Sequence, residues 1–559
     1  MRKNIFMALS AAAIITMSSC SSKMGALSAD NFEVTPNPLE AIGGKVPATI
    51  NGKFPEKYMK KKAVVTVTPV LRYANGMEAQ GQPATFQGEK IMGNDQTISY
   101  RLGGRYTMKT TFDFIPEMQK SDLYLTFDAK VGKKTVAVPD VKVADGIIST
   151  AALYRKTMLR DEACLALDTF QRVQSQKQEA NIRFLINQAE LRKSELKNNS
   201  VQEFVQLLKK INADRGETMN VTNVEVAAYA SPEGGFDFNN KLAGKRQDVS
   251  EAYVNQQLKE TKVEADVDAH YTAQDWDGFQ QLVQASNIQD KDVILRVLSM
   301  YKDPQEREQQ IRNLSLAFQD LVGTVLPELR RARLTVNYEL IGRDDEQIDA
   351  QYAADPSKLS LEELLYAATF DNNYSKREEI YKTANRLYPT DYRALNNLAV
   401  LAFSKGDQAA AKKYLQTAIA VDNKGAESYA NLGLIELHNG NLTEAENYFG
   451  RGITANGYNQ AVGTLNIAKG NYAVAEGNFG SSVSNTAALA QLLNKDYEKA
   501  IQTLDRVQQP DAMTMYLHAI VAARRGNKFA TESYLQEALK MDPSLKTYAD
   551  NDLELSILK

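Results

Sequence analysis

The stretch VEVAAYASPEGGFDFNNKLAGKRQDVSEAYV, from Val224 to Val254, decides the interpretation of the middle of the chain. Its alternating apolar residues predict a β-strand, Pro-Glu-Gly-Gly predicts a turn, and the residues that follow predict a basic helix. This close spacing fits ordinary α/β packing, and it also fits a turn and helix start that frame a pocket for an anion.

The sequence on both sides of this stretch continues the alternation of strands and helices. Residues 180–211 read as a strand followed by an amphipathic helix. A strand is predicted near 267–271, two helical segments between 276 and 321, and a closing strand at 330–340. This order with short connections predicts one compact α/β domain over residues 175–342.

The part of the chain before this domain is rich in β-forming residues. Short runs at 63–73, 97–102, 106–114 and 122–129 alternate apolar and polar residues or are bounded by turn residues. They predict an all-β sandwich of the immunoglobulin-like kind over residues 30–154. Residues 30–154 contain no combination of side chains typical of a catalytic site, so a spacer or docking role is expected.

The C-terminal third of the chain is helical and periodic. Gly406 and Gly440 stand thirty-four residues apart before equivalent amphipathic helices, and Gly470, Lys495 and Gly526 mark further units at shorter spacings. A helix-turn-helix unit of this length resembles the tetratricopeptide repeat. The resemblance implies an all-α solenoid over residues 356–559 with a concave groove lined by the first helix of each repeat.

Two asparagines one repeat apart are candidates for binding a partner in that groove. Asn397 and Asn431 lie on the first helices of successive repeats, where amides beside apolar side chains suit an extended peptide of an envelope protein. Hydrogen bonds between neighbouring repeats are the alternative role for these amides. The predicted lining of the groove is Arg393, Asn396, Asn397, Val400, Phe403, Glu427, Asn431, Leu434 and Leu437.

The central domain resembles the OmpA-like peptidoglycan-binding family, most closely between Ala230 and Arg246. Arg246 matches the helix arginine of the family, Asn239 matches the asparagine of its Tyr-Asn pair, and Ser231 stands where the family has aspartate. The resemblance implies that Arg246 and the helix start bind a carboxylate of the stem peptide of peptidoglycan. Since Ser231 is uncharged, Glu233 is the candidate for the ammonium group of that peptide.

An alternative remains open for this domain. Arg246 would then pack only within its own fold, and the domain would bind a different partner. The four candidate residues for peptidoglycan binding are Ser231, Glu233, Asn239 and Arg246.

The N-terminal sequence MRKNIFMALSAAAIITMSSC has the parts of a secretory signal, placed at residues 1–19. Its end resembles the lipobox of bacterial lipoproteins, which implies that Cys20 is lipidated and begins a linker over residues 20–29. A plain signal peptide followed by an incidental cysteine is the alternative. The chain has one other cysteine, Cys164, so the mature chain is expected to lack an intramolecular disulfide.

The composition bounds the remaining classes of function. A formal net charge of −3 over 559 residues gives no electrostatic reason to expect nucleic acid. The three histidines lack ligand spacing and no catalytic motif is present, so no metal, cofactor or enzymatic activity is expected.

These features together predict a non-enzymatic lipoprotein of the outer membrane. It would face the periplasm, be attached only by its N-terminal lipid, contact peptidoglycan and recruit a protein partner through its repeats. The alternative is an accessory subunit of an envelope assembly or secretion machine, in which the OmpA-like domain serves only as a protein interface.

Overall fold

The computed structural model describes residues 24–288, 291–313 and 315–559. The predicted signal peptide and Cys20 lie outside these residues. The chain forms two compact units: the first combines the residues up to Asp168 with Asp371–Lys559, and the second is Thr169–Phe370. In the described ranges, no helix is long and apolar enough to cross a membrane.

The first unit begins with β-sheets that share one core. The strands are β1 (Phe32–Thr35), β2 (Leu39–Glu40), β3 (Lys45–Phe54), β4 (Ala63–Tyr73), β5 (Met77–Gln80), β6 (Ala84–Gly88), β7 (Gln96–Ile98), β8 (Gly104–Asp113), β9 (Ser121–Val131), β10 (Lys134–Val136), β11 (Val141–Asp145) and β12 (Ile147–Ile148). One sheet has the order β1-β3-β8 and the other β10-β9-β4-β6-β7, with β11 on β9 and β5 on β4; β2 and β12 form a short parallel pair.

Alternation of side chains explains how these sheets bury a common core. Along β3, Val46, Ile50 and Phe54 are fully buried, and they join buried residues of β4 and β9 in one cluster.

The strand predicted at 63–73 is β4. The one predicted at 97–102 ends early, because the chain turns back through Gly103, whose φ is +70°.

Residues 149–168, here called the strap, follow the β-sheets and pack against the helical repeats. The strap contains a 3₁₀ turn (Thr150–Leu153), the helix α1 (Tyr154–Asp161) and an extended end. Leu153, Tyr154 and Met158 are buried in the same hydrophobic cluster as the helices of the repeats. Most of the strap lies outside the domains that the sequence predicts, 30–154 and 175–342.

The second unit is built on a four-stranded sheet. Its strands are β13 (Val173–Arg183), β14 (Met219–Tyr229), β15 (Val267–Thr272) and β16 (Arg331–Ile341), in the order β13-β16-β14-β15. Only the β14–β15 pairing is parallel. Its helices are α2 (Asn199–Asp214), α3 (Phe236–Thr261), α4 (Trp276–Ala285), α5 (Lys291–Met300), α6 (Pro304–Asn313), α7 (Ser315–Thr324), α8 (Leu326–Leu329), α9 (Asp345–Ala354) and α10 (Leu361–Ala367).

Helices α2 and α3 cover one face of this sheet. Phe204 and Leu208 of α2 and Val254 of α3 are buried against Val226 of β14 and Leu334 of β16. The order strand, helix, strand, helix, strand, then a closing strand agrees with the predicted α/β domain. It places the turn after β14 at the start of α3.

The segment between β15 and β16 is more divided than predicted. Among the described residues it contains α4, α5, the helical residues of α6 and α7 on either side of residue 314, and the short α8, instead of two helical segments. Helices α6 and α8 carry Pro304 and Pro327 in their first turns. Trp276 is buried beside Phe279, and the Asp275 carboxylate caps α4 by accepting a hydrogen bond from the Gly278 N–H at 2.9 Å. Core packing therefore accounts for the tryptophan.

The chain enters and leaves this unit on neighbouring strands, because Val173 of β13 pairs with Ile341 of β16. In the sequence, the second unit stands between the strap and the repeats. Helix α10 belongs to this unit: Tyr366 stacks on Phe170 with ring centroids 4.7 Å apart. The repeat region therefore begins after Phe370, later than the predicted start at residue 356.

The repeats form stacked helix pairs. In each pair a residue with a left-handed backbone ends the first helix: Gly406, Gly440, Gly470, Lys495 and Gly526, with φ from +68° to +85°. The structure thus places Lys495 where the repeat pattern expects glycine. The helices are α11 (Tyr374–Leu387), α12 (Arg393–Ser404), α13 (Gln408–Val421), α14 (Ala426–His438), α15 (Leu442–Arg451), α16 (Tyr458–Ala468), α17 (Tyr472–Phe479), α18 (Asn485–Leu493), α19 (Tyr497–Asp505), α20 (Ala512–Arg524), α21 (Lys528–Met541) and α22 (Lys546–Asn551).

A buried carboxyl group lies at the C-terminal end of the repeats. Asp552 accepts hydrogen bonds from the Tyr516 hydroxyl at 2.7 Å and from the Glu554 N–H at 3.0 Å, and its residue is 1% exposed. Burial is the main cause that raises the pKa of this carboxyl to about 6, against the lowering effect of those hydrogen bonds. The charged carboxylate therefore destabilises the fold above pH 6.

We expect Asp552→Asn to stabilise the protein at pH 7.5, by up to about 3 kcal/mol in the free energy of unfolding. An asparagine can still accept from the Glu554 N–H and donate to the Tyr516 oxygen. As the pH falls from 6 toward 4, the wild-type carboxyl becomes protonated and the difference should vanish. Urea unfolding at both pH values measures this, with Asp550→Asn, at an exposed carboxylate paired with Lys546, as control. Equal stability of Asp552→Asn and wild type at pH 7.5 would contradict the prediction.

Candidate functional site

A cavity of about 390 Å³ lies at the turn that joins β14 to α3. It brings together all four residues that the sequence singled out for peptidoglycan binding. The lining residues are Ile186, Asn187, Ser231, Glu233, Gly234, Phe238, Asn239, Leu242, Arg246 and Arg330.

The turn above the cavity is held by Asn239. Its side-chain amide donates to the carbonyl oxygens of Ser231 at 2.9 Å and Gly234 at 2.8 Å, and the residue is 3% exposed. A side chain at Gly234 would place a Cβ 2.7 Å from the Asn239 Oδ1, so glycine is required there. Asn239 therefore shapes the site by fixing the backbone.

Arg246 reaches the cavity from the third turn of α3 and is largely satisfied by its own domain. Its guanidinium donates to the carbonyl oxygens of Tyr229 at 2.8 Å, Gln188 at 3.0 Å and Leu185 at 3.2 Å, and it lies 5.0 Å from the centroid of the Phe184 ring. These bonds engage three of its five N–H donors. Burial, then the charge of Arg330, lowers the pKa of Arg246 to about 10, so it stays charged at neutral pH.

Glu233 faces the same cavity in an ion pair with Arg330. The Glu233 Oε1 accepts from the Arg330 Nη2 at 2.8 Å and from its Nε at 3.1 Å. The second carboxylate oxygen, Oε2, is buried and has no hydrogen-bond partner among the described residues. Two guanidinium groups and one carboxylate leave the lining with one net positive charge, which suits an anionic ligand.

The start of α3 adds hydrogen-bond donors to this site. Gly235 is the N-cap residue, and no described side chain caps the helix. The first backbone N–H groups of a helix have no partner within it and favour a negative charge.

From the sequence, Arg330 is predicted only as the start of the closing strand. Its position beside Glu233 follows from the strand order, which brings the start of β16 next to the end of β14.

The second predicted site, the groove of the repeats, is occupied by the strap. Asn431 accepts from the Cys164 N–H at 2.7 Å and donates to the Cys164 carbonyl oxygen at 2.8 Å. One repeat earlier, Asn397 accepts from the Ala166 N–H at 2.9 Å and donates to its carbonyl oxygen at 3.0 Å. Each amide thus forms hydrogen bonds with both the N–H and the C=O of one strap residue. Successive repeats bind strap residues two positions apart, which is the spacing of side chains on one face of an extended strand.

Further contacts continue along the strap. Asn396 donates to the Cys164 carbonyl oxygen at 2.9 Å, and Arg393 donates to that of Asp168 at 3.1 Å. The Ser484 hydroxyl donates to the Glu162 carboxylate at 2.9 Å. Arg393, Asn396, Asn397 and Asn431 of the predicted groove do bind an extended backbone, but the prediction that they bind another protein needs correction, because that backbone is the chain's own strap.

The Cys164 side chain is part of this packing. The residue is fully buried, and burial, with the charges of Glu427 and Glu162, raises the pKa of its thiol to about 12. Such a thiol stays protonated and unreactive while the strap is in place. Elsewhere in the described residues, no group of three or more His, Cys, Asp or Glu side chains could hold a metal ion.

Comparisons with known proteins concern the helical region. A search of curated protein sequences finds no match. Among solved structures, a tetratricopeptide repeat protein from Parabacteroides merdae is similar at 16% identity, with a TM-score of 0.28, over 44% of this chain and 99% of that one. The pilF protein of Pseudomonas aeruginosa is similar at 16% identity, with a TM-score of 0.27, over 38% and 99%.

A third similar structure is PilW, described as a type IV pilus biogenesis factor, at 18% identity and a TM-score of 0.24, over 33% of this chain and 90% of that one. The family model described as tetratricopeptide repeat matches residues 397–459. The C-terminal helices of this multidomain chain are therefore tetratricopeptide repeats, a fold that generally serves protein–protein interaction and not catalysis.

Proposed function

We propose that this protein is a non-enzymatic scaffold, lipid-anchored at the periplasmic face of the outer membrane, that contacts peptidoglycan through its second unit and binds envelope proteins through its repeats. The observation that carries the proposal is the cavity at the turn between β14 and α3. It gathers a buried arginine, an uncapped helix start and a carboxylate with a free oxygen. The strand order of this unit supports the OmpA-like assignment.

The cavity chemistry suits the end of a stem peptide that carries both a carboxylate and an ammonium group. The two remaining N–H donors of Arg246 and the N–H groups at the start of α3 would bind the carboxylate. The Glu233 carboxylate would accept from the ammonium group, in place of the aspartate that Ser231 replaces. Arg330 would hold Glu233 in the orientation that this contact needs.

A second candidate function is favoured by one observation. Arg246 already donates to three backbone carbonyls, as expected if it serves only its own fold. The protein would then be a subunit of an envelope machine, with the second unit as a protein interface. In either case, binding through the repeats has to use a surface outside the contacts that hold the strap.

Binding to peptidoglycan is tested with the full chain carrying Cys20→Ala, sedimented with purified sacculi. We expect cosedimentation, a roughly tenfold or greater weakening with Arg246→Gln or Glu233→Gln, and stronger binding with Ser231→Asp, which restores a carboxylate. Lys241→Ala, at an exposed lysine on the same helix, is the control for nonspecific charge.

The interpretation depends on folding as well as binding, because Arg246 is buried. Far-UV circular dichroism and the melting temperature should accompany each variant. Absence of cosedimentation by a folded wild-type chain would favour the machine-subunit function. Binding that survives in a folded Arg246→Gln variant would remove Arg246 from the site.

Membrane attachment is tested by Cys20→Ala in cells. We expect this variant to move from the membrane fraction to the soluble periplasmic fraction, since a lipid on Cys20 is the proposed anchor. Fractionation followed by immunoblotting measures it, with Cys164→Ser as the matched control at the other cysteine. A Cys20→Ala variant that stays in washed membranes would show that another interaction holds the protein there.

A further inference from the structure

A cavity of about 480 Å³ lies within the first unit, enclosed by the β-sheets, the strap and the repeats. Its buried lining is mostly apolar and includes Ala41, Ala151, Leu153, Ile467 and Ala468, beside the polar Ser149. Its exposed lining includes three charged residues, Lys45, Asp113 and Lys156. The cavity therefore has an apolar floor and a charged rim.

The cavity opens to solvent at its exposed rim, so it is accessible to a ligand. Cavities of about 300–1,000 Å³ with mostly apolar walls and a few polar groups are typical of small-molecule sites. This cavity lies toward the lower end of that range, so one alkyl chain suits it better than the two chains of a phospholipid.

The charges at the rim indicate what the polar end of the occupant should be. Lys45 and Asp113 form an ion pair and offset each other. Arg155 also lines the cavity and is half-buried; its Nε donates to the Tyr154 hydroxyl at 3.3 Å, and it forms no ion pair with a described carboxylate. A guanidinium beside an apolar cavity complements a ligand that joins an alkyl chain to an anion.

We propose that this cavity binds one free long-chain fatty acid, with its alkyl chain on the apolar floor and its carboxylate at Arg155. Each methylene removed from water on that floor favours binding. The carboxylate would give Arg155 an anionic partner, which the described carboxylates do not supply.

The test uses the delipidated full chain carrying Cys20→Ala, titrated with palmitate and, separately, with the uncharged hexadecanol. We expect one palmitate per chain with a dissociation constant on the order of 1–10 μM. Arg155→Gln should weaken palmitate binding about tenfold and leave hexadecanol binding unchanged. Ala152→Phe, which puts a ring into the cavity from a half-buried position on the strap, should abolish binding of both.

A control variant separates the cavity from exposed apolar surface. Phe529→Ala removes an aromatic side chain that is 84% exposed on α21 and should leave palmitate binding unchanged. Loss of binding in this variant, binding that does not saturate at one site, or no binding at all would overturn the proposal. So would equal weakening of palmitate and hexadecanol by Arg155→Gln. If Ala152→Phe does not fold, the Arg155→Gln comparison decides alone.

Discussion

Replacing Asn397 and Asn431 together by alanine is expected to lower the free energy of unfolding of the first unit by about 3–9 kcal/mol. The double change leaves three buried main-chain groups of the strap without their side-chain partners: the N–H of Cys164 and both the N–H and C=O of Ala166. Each such group costs about 1–3 kcal/mol when it is left unsatisfied. The carbonyl of Cys164 keeps its hydrogen bond from Asn396.

The same contacts predict unequal effects of the two single changes. Asn397→Ala leaves both the N–H and the C=O of Ala166 without a hydrogen bond. Asn431→Ala leaves only the Cys164 N–H without one, because Asn396 still donates to the Cys164 carbonyl oxygen. Asn397→Ala should therefore be the more destabilising of the two. Asn447→Ala, at an exposed asparagine of the repeats, should change stability by less than about 0.5 kcal/mol.

Cys164 supplies a direct readout of this prediction. In a Cys20→Ala background it is the only thiol of the chain, and it is buried under the strap contacts. Its rate of reaction with a thiol reagent under native conditions should rise steeply in the double variant, alongside a lower urea midpoint. Wild-type stability with an unreactive Cys164 would show that the amides do not hold the strap.

Glu554→Ala is expected to lower the free energy of unfolding by about 3–5 kcal/mol. The Glu554 side chain is 4% exposed and pairs with Arg524, which is 15% exposed. It also accepts from the Thr150 hydroxyl at 2.5 Å, so it joins the C-terminal end of the repeats to the strap. Removing it would leave a largely buried guanidinium with only the more distant carboxylate of Glu40, 3.9 Å away, and that poorly compensated charge is the main cost.

The next residue along the chain provides a matched control. Arg525 pairs with Glu498 at 2.9 Å, but these side chains are 44% and 72% exposed. Exposed ion pairs contribute about 0–1 kcal/mol, so Glu498→Ala should be nearly neutral. Urea unfolding followed by circular dichroism compares the two variants. Equal effects would mean that burial is not what makes the Arg524–Glu554 pair important.

The sequence predicted well those features that depend on local pattern. The period marked by Gly406 and Gly440 identified the repeats, and it placed Lys495 at a position that needs a left-handed backbone. The strand 63–73 followed from alternation of side chains. These features follow from short-range rules, which is why they can be predicted from one sequence.

The candidate cavity was partly predictable. From the resemblance to a known family, one site was predicted to contain Ser231, Glu233, Asn239 and Arg246. In the structure these four residues line one cavity. The role of Arg330 was not predicted, because it depends on which strand lies beside β14. The number of helices before β16 was also missed, since several short apolar segments resemble one longer helix.

The occupant of the groove could not be predicted for a different physical reason. The amides of Asn397 and Asn431 bind main-chain groups, which every residue carries, so nothing in the asparagines specifies whose backbone they hold. Small residues at positions 164 and 166 of the strap fit the space, but small residues are common. Only the path of the whole chain reveals that the partner is internal.

The strap also sets an order of events during synthesis. Its contacts join residues 231 positions apart at Asn397, 322 apart at Ser484 and 404 apart at Glu554. The chain is synthesised from its N-terminus. The apolar side chains of the strap therefore lack their packing partners until the repeats that contact them have been synthesised. Closing such distant contacts is slow. The first unit can therefore begin to fold early, but it can be completed only after the residues around Glu554 have been synthesised.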